Sequence, residues 1–211
     1  MTITKLGHCC LVIKEGALTI LTDPGTYSTA QNSVTGVDVI LITHEHPDHY
    51  HLDSLRKVLA NNPQAKIYTV KAVGALLDKE GIQHQLLTDG GRVTEKGVSI
   101  EGFGKKHHEM YPGWPRVDNT GYFVANRLWY PGDALYDPGK TVEILALPVA
   151  GPWLNIREAT DYAKQIHPKM AFAVHDAVLV NPGTAHRVPA KFLPEEGIEF
   201  KILEIGKEYK L

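Results

Sequence analysis

The sequence predicts an α/β protein in which two sheets pack face to face and helices cover the outside. Three observations carry this. Strand-like segments dominate both halves of the chain. A few helical segments lie between them. No linker rich in proline, glycine or serine divides the 211 residues. One domain over residues 1–211 is therefore expected. An apolar content of 43% and a charged content of 22% are ordinary for a globular chain with a sizeable core.

The opening reads as three strands broken by glycine turns: "TITKL", "CCLVI" and, after Glu15-Gly16, "ALTILT". The loop "DPGTYSTAQNSVTG" leads into the buried strand "VDVILIT". "LDSLRKVLANN" spaces its leucines and valine as a helix does and stops before Pro63. "AKIYTV" reads as a strand and "KAVGALLDKEG" as a helix ending at Gly81. "GRVTEKGVSIEGF", "GYFVAN" and "RLWY" read as strand pieces. Strand "VEILALPV", helix "NIREATDYAKQI", strand "KMAFAV" and the final strand "IEFKILEI" complete the chain.

Charge and composition narrow the function. The net charge is -2 and the pI about 6.6, so no basic field invites nucleic acid. No apolar run approaches the ~20 residues that a membrane span needs. The N-terminus, "MTITKLGHCC", lacks the charged-then-apolar layout of a signal peptide. The two cysteines, Cys9 and Cys10, are adjacent and would point to opposite faces of a strand, which argues against a disulfide framework. A reduced, cytoplasmic, enzyme-sized protein is expected. The unusual number is eleven histidines.

Three of them fall in "LITHEHPDHY", directly after an apolar run: His44, His46 and His49, with Asp48 between the last two. His44 and His46 alternate and can face one side, with Asp48 and His49 turning onto an adjacent position. Imidazole nitrogen and carboxylate oxygen are natural ligands for zinc, iron or manganese. The alternative is a solvated, histidine-rich loop, which needs no ligand-type spacing. Further candidates follow other strands: His107 or His108 after "SIEGFGKK", Asp133 after "RLWYPG" and His175 after "KMAFAV". Loops on a rigid scaffold are where such residues belong. Each alone reads as a turn or surface residue, and the set together is specific.

That set, His44, His46, Asp48, His49, a later histidine, Gly132-Asp133 and a last histidine at a strand end, resembles the metallo-β-lactamase superfamily. "GHCCLVI", "TDP" at Thr22 to Pro24, "NTGYFV", "YPGDAL" and "LPVAGPW" further resemble the branch containing ascorbate-6-phosphate lactonase-like hydrolases. The resemblance runs through nearly the whole chain. It implies a four-layer αββα sandwich of two mostly antiparallel sheets with outer helices, and a two-metal site between the sheet edges. It implies that His44, His46 and His107 hold one metal, that Asp48, His49 and His175 hold the other, and that Asp133 bridges them. Strand parity leaves His107 and His108 open, and the spacing back from "NTGYFV" in the family points to His107.

Other residues keep two readings. His8 is a satisfied structural histidine or, by the resemblance, a neighbour of the metals or of substrate. Asp23 caps a turn or hydrogen-bonds a ligand histidine. Tyr111, Trp114 and Trp153 pack their loops or wall a substrate pocket. Lys105, Lys106 and Arg116 read as solvated surface, with an anionic substrate as the alternative. His51, His84, His167 and His186 read as surface or packing residues.

The expected activity is that of a metal-dependent hydrolase. Two metals about 3.5–4 Å apart share a water and lower its pKa, and the bridging hydroxide attacks a small ester, lactone or related bond. Asp48 is expected to orient that water or accept its proton. No Gly-x-Ser-x-Gly elbow suggests a serine nucleophile. Zinc is the first expectation for the two divalent ions, with manganese or iron as alternatives. The expected partner is a small-molecule substrate, with neither nucleic acid nor membrane. A phosphodiesterase or nuclease of the same fold and a metal-holding protein without turnover are the rival readings.

Overall fold

A computed structural model describes residues 1–211. One sheet contains β1 (Thr2–Gly7), β2 (Cys10–Glu15), β3 (Leu18–Thr22), β4 (Val39–Ile42), β5 (Lys66–Thr69) and β6 (Gln85–Leu86). The other contains β7 (Arg92–Glu95), β8 (Val98–Phe103), β9 (Gly121–Val124), β10 (Leu128–Tyr130), β11 (Ile144–Pro148), β12 (Met170–Val174) and β13 (Glu199–Lys201). The last strand, β14 (Glu208–Lys210), returns to the first sheet and pairs antiparallel with β1, Thr2 opposite Lys210. The strand orders are β14-β1-β2-β3-β4-β5-β6 and β13-β12-β11-β10-β9-β8-β7.

Helices α1 (Leu52–Asn61) and α2 (Lys71–Lys79) follow strands of the first sheet, and α3 (Ile156–Ile166) and α4 (Gly183–Phe192) follow strands of the second. Alternation along the strands explains the layering. In β4, Val39 and Leu41 join the cluster between the sheets, while Ile40 and Ile42 pack with Leu55 and Val58 of α1 and Val73 and Leu77 of α2. In β11, Ile144 and Ala146 face the other sheet, while Leu145 and Leu147 pack with Ala159 and Tyr162 of α3. A strand covered on both faces has no solvent side, which is why "VILI" and "ILALP" are apolar throughout. Three apolar clusters thus separate four layers, the αββα sandwich expected.

Some details differ from expectation. Each sheet is mixed rather than mostly antiparallel. Pairing is antiparallel from β14 to β3 and from β7 to β10, and parallel through β3-β4-β5-β6 and β10-β11-β12-β13. "IEFKILEI" holds only the short β13, and the chain turns before β14. Helix α4 forms between "KMAFAV" and "IEFKILEI", a stretch in which the sequence predicts no element. Pro189 lies inside it, buried with Ala185 and His186. No helix is long and apolar enough to cross a membrane.

Parallel neighbours end at the same sheet edge. The C-terminal ends of β10 and β12 therefore share an edge of the second sheet, and the C-terminal end of β4 in the facing sheet comes to the same place, where the segments 43–49, 131–133 and 175–176 meet.

Candidate metal centre

The structure brings the seven resemblance-assigned residues together at that edge. Two groups of ligand-type atoms form, each within 4.8 Å: His44, His46, His107 and Asp133, and His8, Asp48, His49 and His175. Asp133 stands at their junction. Its Oδ1 is 3.1 Å from His49 Nε2, and its Oδ2 is 2.9 Å from His175 Nε2 and 3.3 Å from His107 Nε2. The side chains of His44, His49, His107, Asp133 and His175 are almost fully buried, and those of His46 and Asp48 face the cleft.

Backbone geometry enforces these positions. His8, Asp23 and His175 all adopt left-handed conformations, with φ of 49°, 36° and 59°. Such strain costs roughly 1–3 kcal/mol each and persists only where surrounding contacts over-determine it. Two glycines permit close approach. A Cβ on Gly132, at φ 63°, would lie 2.5 Å from Asn119 Oδ1, and one on Gly25 would overlap the Asp48 carbonyl.

His44, His49, His107 and His175 are each oriented through Nδ1. His49 donates to Asp23 Oδ2 at 2.7 Å, His175 to the Ala150 carbonyl at 2.6 Å and His107 to the His108 carbonyl at 2.7 Å. His44 Nδ1 donates to Thr43 Oγ1 at 3.0 Å, and that hydroxyl donates onward to Asp23 Oδ2 at 2.8 Å. Every Nε2 lone pair is thereby turned inward, the arrangement that fixes a ligating tautomer. The same tautomer leaves His44 Nε2 free to face His46 Nδ1, 3.1 Å away.

His49, His107 and His175 Nε2 and Asp133 Oδ1 are buried with no aligned hydrogen-bond partner, close as they are to one another. Buried polar atoms are normally satisfied. Converging lone pairs of imidazole and carboxylate fit a divalent cation.

Electrostatics agree. Burial pushes the Asp133 carboxyl up, but His175 and His49 outweigh it and hold it well below the usual carboxylate range. Burial pulls His175 down, yet Asp133 and Asp48 raise it to about 9. Burial pulls His44 well below its ordinary value. The carboxylates of Asp133 and Asp48 thus favour positive charge at the centre.

The residues with two readings separate clearly. Asp23 hydrogen-bonds His49, and it also accepts from the Thr43 amide and from Tyr130 at 2.5 Å. His8 Nδ1 accepts from the Ala177 amide at 3.3 Å, so its Nε2–H faces Asp48 Oδ2 at 3.1 Å. Burial holds that imidazole down at about 4. His107 sits beside Asp133, whereas His108 is half-buried near Trp153. Trp153 packs against His107 and His175 and lines the cleft.

Tyr111 and Trp114 do not join it: they are 71% and 62% exposed, and their neighbour Met110 lines the wall instead. For His186 the packing reading holds. It is buried and bonds Asp176 at 3.0 Å, which also pairs with buried Lys5 at 2.7 Å. Thr43, Tyr130, Tyr27 and Met110 were missed by sequence reasoning, since hydroxyls at strand ends and lone apolar or aromatic residues on loops carry no ligand signature. Cys9 was read only as half of an unpaired doublet. Its thiol shares a 4.8 Å cluster with His49 and Asp133, and burial pushes its pKa far up.

Comparison with known proteins agrees with this fold. The model of the β-lactamase superfamily domain matches residues 2–175. Protein Rv0786c of Mycobacterium tuberculosis is 36% identical over 184 residues, 85% of each chain. A UPF0173 protein of Pyrococcus abyssi is 30% identical over 83% of each chain. A Thermoplasma volcanium protein named UPF0173 metal-dependent hydrolase is 26% identical over 80% of each. In fold, Igni18, described as a metallo hydrolase from Ignicoccus hospitalis, superposes with a TM-score of 0.77 at 17% identity, covering 100% of this chain and 98% of that one. The chain therefore belongs to the metallo-β-lactamase superfamily and, within it, to the UPF0173 family, several members of which carry the name metal-dependent hydrolase.

Proposed function

We propose that this protein is a metal-dependent hydrolase using two divalent ions and water to cleave a small ester, lactone or related bond. One observation carries the reading: unpartnered nitrogens of His49, His107 and His175 and Asp133 Oδ1 converge, buried, beneath an open cleft. The names of the Thermoplasma relative and of Igni18 support the hydrolytic class. The net charge of -2 disfavours a nucleic-acid phosphodiester.

In this reading His44, His46 and His107 hold one ion, Asp48, His49 and His175 the other, and Asp133 lies between. Zinc suits this donor set, and manganese and iron accept it. When bound, the pair supplies Lewis acidity and a water acidified toward neutrality.

The chain's own residues do the remaining work. His8 steers the Asp48 carboxylate through its Nε2–H. Asp48, at the cleft, is placed to receive the proton of the attacking water and return it to the leaving oxygen. The Asp23–Thr43 pair holds His49 and His44 in one tautomer. Trp153 shields the histidines from bulk water, which strengthens every charge interaction inside. Cys9 is buried and protonated, so it supplies no nucleophile.

The test is a panel of lactones, esters and phosphodiesters assayed with zinc, manganese and iron each supplied. Turnover of an ester or lactone, lost on chelation and restored by metal, is expected. Turnover that survives complete metal removal would contradict the reading.

A further inference from the structure

The walls of the cleft say which substrates it accepts, an inference that rests on the proposed metal hydrolase. The cleft measures about 330 Å³. Tyr27, Met110, Pro152, Trp153 and Val178 rise around the histidines, and no lysine or arginine is among the lining residues. Apart from its histidines, the only ionisable side chains among its lining residues are the carboxylates of Asp48 and Asp133 and the Tyr27 phenol.

The cations nearest in sequence are turned elsewhere. Lys105 and Lys106 line a separate cleft with Thr88 and Gly104, paired with Asp89 at 3.5 Å and Asp118 at 2.8 Å. Arg116 lines a neighbouring hollow with Tyr136 and donates from Nε to the His107 carbonyl at 2.6 Å. Their reading as surface residues therefore stands, and none greets an anion at the centre. Positive charge would be confined to the ions, at the reacting bond. A phosphate carried away from that bond would lose its hydration and gain no partner, a costly burial. An apolar group in the same place would cover Met110, Val178 and the Trp153 ring.

We infer that the site takes an uncharged substrate whose arm, beyond the bond cleaved, is apolar or aromatic, and that it discriminates against phosphorylated or otherwise anionic arms.

Three hydroxamates share one metal-binding head and differ in the arm. Acetohydroxamate has almost none, benzohydroxamate an aromatic one and sulfoacetohydroxamate an anionic one whose sulfonate is a weak zinc ligand. Calorimetric titration of the zinc-loaded protein, each affinity referred to that for free zinc, reads the arm alone. Benzohydroxamate should bind about tenfold or more tighter than acetohydroxamate, and the anionic compound no tighter than acetohydroxamate. Met110→Ser, on an exposed loop, should reduce the aromatic advantage to about threefold.

Tighter binding of the anionic compound, or an aromatic advantage below about threefold in the unaltered protein, overturns the inference and leaves the metal centre standing. An aromatic advantage untouched by Met110→Ser overturns the assignment of this wall. If acetohydroxamate itself fails to bind protein that holds its zinc, the open metal site fails and the inference with it.

Discussion

Asp23 accepts the Nδ1–H of His49 at 2.7 Å, and the same carboxylate oxygen receives the hydroxyl hydrogens of Thr43 and Tyr130. One buried side chain on the loop after β3 therefore sets the tautomer of a histidine on the loop after β4. Asp23→Asn replaces one acceptor oxygen by a donor and sets N–H against N–H or O–H. Metal affinity should fall about 10–100-fold, measured by competition with a chromophoric chelator while circular dichroism confirms the fold. An unchanged affinity would show that this bond does not hold the ligand.

Metal loading should stabilise the protein and reach two equivalents by elemental analysis. Binding at 100 times the dissociation constant contributes about 2.7 kcal/mol per site. For a chain of this size each kcal/mol raises Tm by roughly 2–4 °C, so one such site gives a rise of about 5–10 °C that a chelator reverses. A stoichiometry that stays at one with excess metal would remove the second ion.

The doublet His107-His108 offers a paired test. His107→Ala removes a buried nitrogen beside Asp133 and should lose one equivalent of metal and nearly all turnover. His108→Ala should retain both ions. Asp48→Ala should abolish turnover, since it removes a ligand and the proton acceptor together. The reverse pattern in the histidine pair would move the ligand one residue along.

Lys5 should be costly to lose. Its ammonium is buried, bonding both Asp176 oxygens and the Ala173 carbonyl. Lys5→Ala leaves a buried carboxylate short of its cation, which costs about 3–5 kcal/mol. Urea unfolding measures this, and a loss below about 1 kcal/mol would mean that water or His186 compensates Asp176 fully.

Gly132→Ala forces a side chain into the left-handed region and against Asn119 and Thr43. The conformational part alone is about 1–2 kcal/mol. Repacking adds roughly 1–3 kcal/mol. The variant should unfold at lower urea, and wild-type stability would show that the turn adjusts freely.

The sequence by itself determined the parts whose signal is local. Fully apolar strands such as "VILI", amphipathic helices such as 52–61 and the ligand-type spacing of His44 to His49 follow from neighbours a few residues apart. It also marked Asp133 and His175 as candidates, because strand ends are visible locally. Tertiary structure alone decided what depends on distant partners. Only the parallel pairing of β10, β11 and β12 sets Asp133 beside His175, 42 positions later in the chain. Only packing chose between turn cap and histidine partner for Asp23, and turned Tyr111 and Trp114 to solvent while Met110 faced the cleft. Helix α4 and the buried Lys5–Asp176–His186 network escaped notice for the same reason. Prolines and lone charged residues reveal their role only when another layer satisfies their backbone or their charge.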